Sequence, residues 1–268
     1  MVKPKVLIIT GYGFNCEKET EFAFRLAGGE PEQVHLNDLL LGEKSMDEYH
    51  IMAFVGGFSF GDHISAGKVV ANKFKYNLEK SLQKFISDGK LIIGICNGFQ
   101  VMTKLGILPG LNGDYRNQKV TLTMNDSGHY EDRWVHLTVN KKSNCVFTRG
   151  IDMMYLPVRH GEGKFYTEDE DVILSLFRNN QVVLQFIDPR DGLPTSEYPY
   201  NPNGSIEAIT GICDPTGRIF GLMPHPEAYW SPFNHPNWVR LKIDNKLPEE
   251  GQGIKIFRNA VNFVKETF

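Results

Sequence analysis

The sequence predicts an α/β domain: a mostly parallel sheet covered by helices on both faces, with antiparallel strand extensions. Three observations carry that expectation. Short apolar runs at 5–10, 51–55 and 91–95 alternate with stretches of helical spacing, and each run ends in a glycine or polar turn. Runs that are apolar throughout read as strands buried on both faces. Strands alternating with helices imply right-handed crossovers and a parallel sheet. Beyond Gly110 the alternation gives way to strand after strand with little helix between them, the pattern of antiparallel pieces added at one edge.

In chain order, residues 5–10 form the opening strand and Gly11-Tyr12-Gly13 turns the chain. Asn15 is placed to cap a helix over 17–27, closed by Gly28-Gly29. A second strand is expected over 33–36 and a third over 51–55, leaving through Gly56-Gly57-Phe58-Ser59-Phe60-Gly61-Asp62. A long helix over 69–87 stops at Asp88-Gly89; the strand 91–95 follows, and 99–105 has helical spacing. Residues 120–124, 134–139, 153–158, 172–176 and 182–186 read as strands. Residues 206–213 and 218–223 read as a hairpin across Asp214-Pro215-Thr216-Gly217, and 253–264 as a final amphipathic helix. No repeat, linker or charge block divides the chain, so one domain is expected over 1–268, with an additional tail from about residue 228.

Composition bounds the function. The 268 residues carry a net charge of −3, with 41% hydrophobic and 23% charged residues, and no basic block that would suit nucleic acid. Cys16, Cys96, Cys145 and Cys213 are scattered without a C-x-x-C pair, so neither a disulfide framework nor a metal site is expected. No apolar run reaches membrane-spanning length and nothing N-terminal resembles a signal peptide; a reduced, cytoplasmic setting is expected.

The chemistry centres on Cys96. It follows a buried strand directly, precedes a helix, and stands between Gly94 and Gly98. A thiol at a helix N-terminus is favoured as thiolate by free N–H groups and the helix dipole. The flanking glycines remove side chains that would crowd a strained turn, as in nucleophile elbows. A buried, inert cysteine between two strand-end glycines is the plain alternative, but with Gly98 and Gln100 added, chance occurrence falls to on the order of one in a thousand. A nucleophile needs a base. Among eight histidines, His225 follows an apolar strand, lies between two prolines and has Glu227 two residues on, where a carboxylate can set the ring tautomer; a Pro-rich surface turn is the alternative. An oxyanion hole can come from the Asn97 N–H and from the Gly56-Gly57 turn, which alone is no more than a tight strand exit. His160-Gly161-Glu162-Gly163 is a pocket-lining turn or a plain β-turn. The Gly-rich loops and Cys96 all fall at carboxyl ends of strands, where functional loops of parallel sheets gather.

Taken together, Gly94-x-Cys96-x-Gly98-x-Gln100 and Pro224-His225-Pro226-Glu227 resemble the class I (triad) glutamine amidotransferases. Adding Asn15-Cys16-Glu17, the 56–62 loop, His160–Gly163 and Asn201-Pro202-Asn203-Gly204-Ser205 narrows the resemblance to the glutaminase subunits of phosphoribosylformylglycinamidine synthase, over roughly residues 5 to 227. The resemblance implies a flavodoxin-like sheet and hydrolysis of glutamine to glutamate and ammonia. The ammonia would pass to a PurL-type synthetase subunit for purine biosynthesis, with a small PurS-type subunit assisting in many such complexes. By position it makes Cys96 the nucleophile, His225 the acid and base, and Glu227 its orienter. Gly57 and Asn97 become oxyanion donors, and Gln100, His160, Gly161 and Glu162 substrate residues. No cofactor is implied on this chain: it has no G-x-x-x-x-G-K-[ST] loop, so ATP and Mg are expected on the synthetase. The sequence departs from the family after Asp62, at Phe60, and after Glu227, where about forty residues continue. A Cys hydrolase of another type, a catalytically silent interaction subunit, and an amidotransferase serving another synthetase are the competing readings. The first does not account for Gln100 and His-Pro-Glu; the second does not account for an intact Cys96, His225 and Glu227; the third would not be expected to share the 56–62, 160–163 and 201–205 motifs.

Overall fold

The structure, a computed structural model, describes residues 2–268. Strand β1 (Lys5–Thr10) leads to helix α1 (Glu17–Leu26), strand β2 (Glu30–His35) and helix α2 (Leu36–Leu41); β3 (Ile51–Phe54) follows. Helix α3 (Lys68–Lys73), a π-helical segment (Phe74–Leu78) and α4 (Glu79–Ser87) make up the long helix expected over 69–87. Strand β4 (Leu91–Ile95) runs into α5 (Asn97–Leu105). Then come β5 (Thr121–Thr123), β6 (Glu131–Val139), β7 (Met153–His160), β8 (Lys164–Tyr166), α6 (Glu170–Arg178) and β9 (Val182–Phe186). Strands β10 (Ile209–Cys213) and β11 (Ile219–Leu222) precede α7 (Trp238–Ile243) and α8 (Ile254–Thr267).

Nine strands form one sheet in the order β2-β1-β3-β4-β11-β10-β9-β6-β7. From β2 to β11 every pairing is parallel; from β11 to β7 every pairing is antiparallel. The mixed architecture therefore has the expected form, a parallel half extended along one edge. Every residue of β3, β4 and β11 is buried, which is why these runs carry no polar alternation. Helix α8 packs on α1, with Phe24 and Phe257 meeting edge to face at 4.9 Å between ring centroids.

Four expectations are corrected. Residues 172–176 are helical, not a strand: Val172 and Leu176 lie four apart on the buried face of α6, Asp169 accepts a hydrogen bond from the Asp171 N–H, and acidic residues fill the first turn. The second strand spans 30–35 rather than 33–36. As an edge strand it tolerates polar residues and Pro31, so it lacks the apolar signature of its neighbours. Strand β5 does not extend the main sheet but pairs with β8 in a separate two-stranded ribbon. The residue capping α1 is Cys16, not Asn15; the Asn15 Oδ1 atom accepts from the Cys16 thiol at 3.2 Å.

Candidate active site

Cys96 occupies the join of β4 and α5 with φ 51° and ψ −106°, a conformation rarely adopted by a residue with a side chain. Such strain costs on the order of 1–3 kcal/mol and persists only where surroundings impose it. Here they do. A Cβ on Gly98 would lie 1.9 Å from the Phe54 carbonyl oxygen, and one on Gly94 would lie 2.8 Å from the Gly98 backbone. The two glycines thus let α5 start against β3 and β4, which forces the sharp turn at Cys96. The thiol is nearly buried and donates to the Arg159 carbonyl at 3.5 Å.

Adjacent strands bring His225 to the thiol. β4 and β11 pair in parallel register, Ile95 beside Leu222, and the Cys96 N–H donates to the Leu222 carbonyl at 2.8 Å. His225 lies three residues beyond Leu222, where its N–H donates to the Pro157 carbonyl of β7. Its Nδ1 atom is 2.5 Å from Glu227 Oε1, and both residues are buried. Burial opposes a charged imidazole, but the Glu227 carboxylate and the neighbouring Cys96 and Cys16 sulfurs outweigh it and hold the His225 pKa well above the usual histidine range. The Nε2 atom of His225 and the Oε2 atom of Glu227 are buried without a hydrogen-bond partner among the described residues.

A pocket of about 150 Å³ opens onto Cys96 and is lined by Gly57, Gln100, His160, Gly161 and Glu162, among others. The structure thus gathers the expected substrate residues, though by different means. Gln100 is committed: its amide donates to the Glu162 carbonyl at 2.6 Å and accepts from Asn97 Nδ2 at 2.9 Å, so it frames the wall. The Asn97 side chain is also occupied, accepting from the Ser59 N–H, and Asn97 is buried at the start of α5 beside Cys96 rather than lining the pocket. Gly57 sits at φ 144° in a bridge to Phe14 that uses the Asn15 and Phe58 N–H groups rather than its own. His160 is buried, and desolvation with the charge on His225 pushes its pKa down to about 3, so it is neutral. Glu162 accepts from the Ala66 N–H and lies 3.9 Å from Lys104.

The Asn201–Ser205 motif acts at one remove. Asn203 Nδ2 donates to the Gly163 carbonyl at 2.9 Å, and Asn125 Oδ1 accepts from the Gly163 N–H at 3.0 Å and meets His160 Nδ1 at 3.2 Å. A Cβ on Gly163 would lie 2.2 Å from the His160 ring, so the His-Gly-Glu-Gly turn requires that glycine. Sequence reasoning missed Asp62, Met124, Tyr130 and Arg159, which also line the pocket. Asp62 carried a signal as the last residue of the 56–62 loop, as did Phe58, which lines the pocket from the same loop. Larger cavities lie at Glu168–Glu207 and at Tyr155–His235, but neither contains a cysteine.

A parallel sheet with a strained cysteine at one strand end and a His–Glu pair at the next defines the glutamine amidotransferase class. The CobB/CobQ-like glutamine amidotransferase domain model matches residues 3–264. Within that class the chain belongs to the PurQ family. It is 49% identical over 266 residues to the phosphoribosylformylglycinamidine synthase subunit PurQ of Dehalococcoides mccartyi, covering 99% of this chain and 100% of that protein. The PurQ subunit of Methanococcus maripaludis is 47% identical over 268 residues, with 98% of each chain covered. Among solved structures, a chain of PurLQS from Thermotoga maritima superposes with a TM-score of 0.71 at 28% identity, over 98% of this chain and 100% of that one.

Proposed function

We propose that this chain is the glutaminase subunit of phosphoribosylformylglycinamidine synthase, hydrolysing glutamine to glutamate and ammonia and passing the ammonia to a PurL-type synthetase subunit for purine biosynthesis in the cytoplasm. The observation that carries this is the placement of Cys96 and the His225–Glu227 pair at the ends of two adjacent parallel strands. Cys96 gives its thiol proton to His225, and the resulting Sγ thiolate attacks the glutamine amide carbon. The Asn97 and Gly57 N–H groups hold the developing oxyanion. His225 protonates the leaving ammonia, giving a glutamyl thioester, and then takes a proton from the water that hydrolyses it. Glu227 orients the ring and stabilises its charge. Gln100, His160, Gly161 and Glu162 frame the glutamine. None of these steps calls for a cofactor on this chain; ATP and Mg belong to the synthetase, and a PurS-type small subunit is a further candidate partner of the complex.

The test is Cys96→Ala in the reconstituted complex. Glutamine-dependent synthesis should fall to background while ammonia-dependent synthesis persists. Equal loss of both would make Cys96 a structural residue. In the wild-type chain with its synthetase, diazo-oxonorleucine should add once, on Cys96, and excess glutamine should block the adduct.

A further inference from the structure

Cys16 is the partly exposed thiol at the start of α1, and the mechanism above does not use it. The fold nevertheless brings it to the catalytic base. One potential ligand atom from each of Cys16, His225 and Glu227 lies within 4.8 Å of the other two. Gly56 separates the sulfur from the ring: a Cβ there would lie 3.1 Å from Cys16 Sγ and 3.0 Å from His225 Cε1. The absent side chain leaves the gap between them open. Within that cluster, His225 and Glu227 are each more than nine-tenths buried, and each has a polar atom without a hydrogen-bond partner among the described residues.

We propose that Cys16, His225 and Glu227 form a site for a thiophilic divalent cation of the zinc or cadmium type, which inhibits catalysis by capturing the base. One sulfur, one imidazole nitrogen and one carboxylate oxygen suit zinc, which commonly takes three protein ligands and a water. Tetrahedral coordination with such bond lengths places donors roughly 3.3–3.8 Å apart, so side-chain rotations must bring the Cys16 sulfur in and part the His225–Glu227 hydrogen bond. Binding releases two protons, one from the Cys16 thiol and one from the coordinating ring nitrogen of His225, and takes that nitrogen out of proton transfer. Cys16 supplies the way in, being the only one of the three that is not buried. The spacing 16, 225, 227 hid this cluster from the sequence, where the cysteines gave no metal pattern. Binding stands apart from the glutaminase reading; only the inhibition rests on it.

Cadmium titration of the full chain, without glutamine, tests binding through the ultraviolet thiolate-to-cadmium charge-transfer band. Cys16→Ser should bind one equivalent fewer than the parent, and Cys96→Ser should retain that equivalent. The same stoichiometry in Cys16→Ser and the parent would overturn the site. So would loss in Cys96→Ser with retention in Cys16→Ser, which would assign the cation to the nucleophile. Thermal melts of both variants establish that they are folded. In the reconstituted complex, zinc should inhibit glutamine-dependent synthesis at least tenfold less potently in Cys16→Ser. Unchanged potency with the binding difference intact would overturn the inhibitory role alone.

Discussion

At the scale of single residues, the site divides its tasks by environment. His225 is held charged against burial by Glu227, whereas His160, equally buried, has no carboxylate on its ring and stays neutral. The same degree of burial thus yields two protonation states, set by whether a carboxylate meets the ring. Removing the base should cost more than removing its orienter: Glu227→Gln should lose at least roughly tenfold less glutaminase kcat than His225→Ala. Single-turnover rates would check the order, and a reversal would exchange the two roles. Asp62 gives a separate expectation. Burial, with Glu162 adding to it against Lys104, raises its carboxyl from 3.8 to about 6. A raised acid favours the folded state while protonated, an advantage complete below pH 4 and lost as pH rises through 6. Asp62→Asn should therefore stabilise the protein at pH 7–8, by about 1 kcal/mol once solvent screening of a partly exposed group is allowed for. Urea midpoints of the two proteins should converge near pH 4.

At the scale of elements, the pocket wall is a turn held by other segments. The 160–163 turn joins β7 to β8, and Asn203 and Asn125, from segments distant in sequence, hold its backbone. Asn203 is fully buried, also accepting from the Ser205 N–H and hydroxyl, so Asn203→Ala leaves several groups without partners. The expected cost is about 1–3 kcal/mol in urea unfolding, with KM for glutamine raised severalfold and kcat changed less. An unchanged KM would mean that the turn does not contact substrate. The sequence marked Asn201–Ser205 as a motif but gave no reason for it. The reason is this support across the chain.

At the scale of the whole molecule, the last helix closes the structure over the first. Phe257 is fully buried in α8 against Phe24 of α1, far along the chain from any motif. Phe257→Ala should cost about 3–5 kcal/mol, read as a lowered urea midpoint, while diazo-oxonorleucine labelling of Cys96 without denaturant is preserved. Loss of labelling in the folded variant would show that the α1–α8 contact shapes the site itself.

What the sequence determined by itself was local and strongly patterned. Apolar runs marked β1, β3 and β4 because strands buried on both faces favour apolar side chains along their length. Gly94, Gly98, Cys96 and His225-Pro226-Glu227 were legible because a tight turn and a His–Glu pair are written in consecutive residues. The polar edge strand β2 and the helix α6 were misread, the first because an edge needs no apolar run, the second because a short apolar stretch fits either period until its cap is recognised. Tertiary structure alone decided the rest. Only the order β4-β11 sets His225 beside Cys96, and only the return of β7 brings Arg159 and His160 to the thiol. Only the meeting of α1 with the strand ends puts Cys16 against His225. These are juxtapositions of residues 60 to more than 200 positions apart, set by strand register and helix packing, and no local pattern records them.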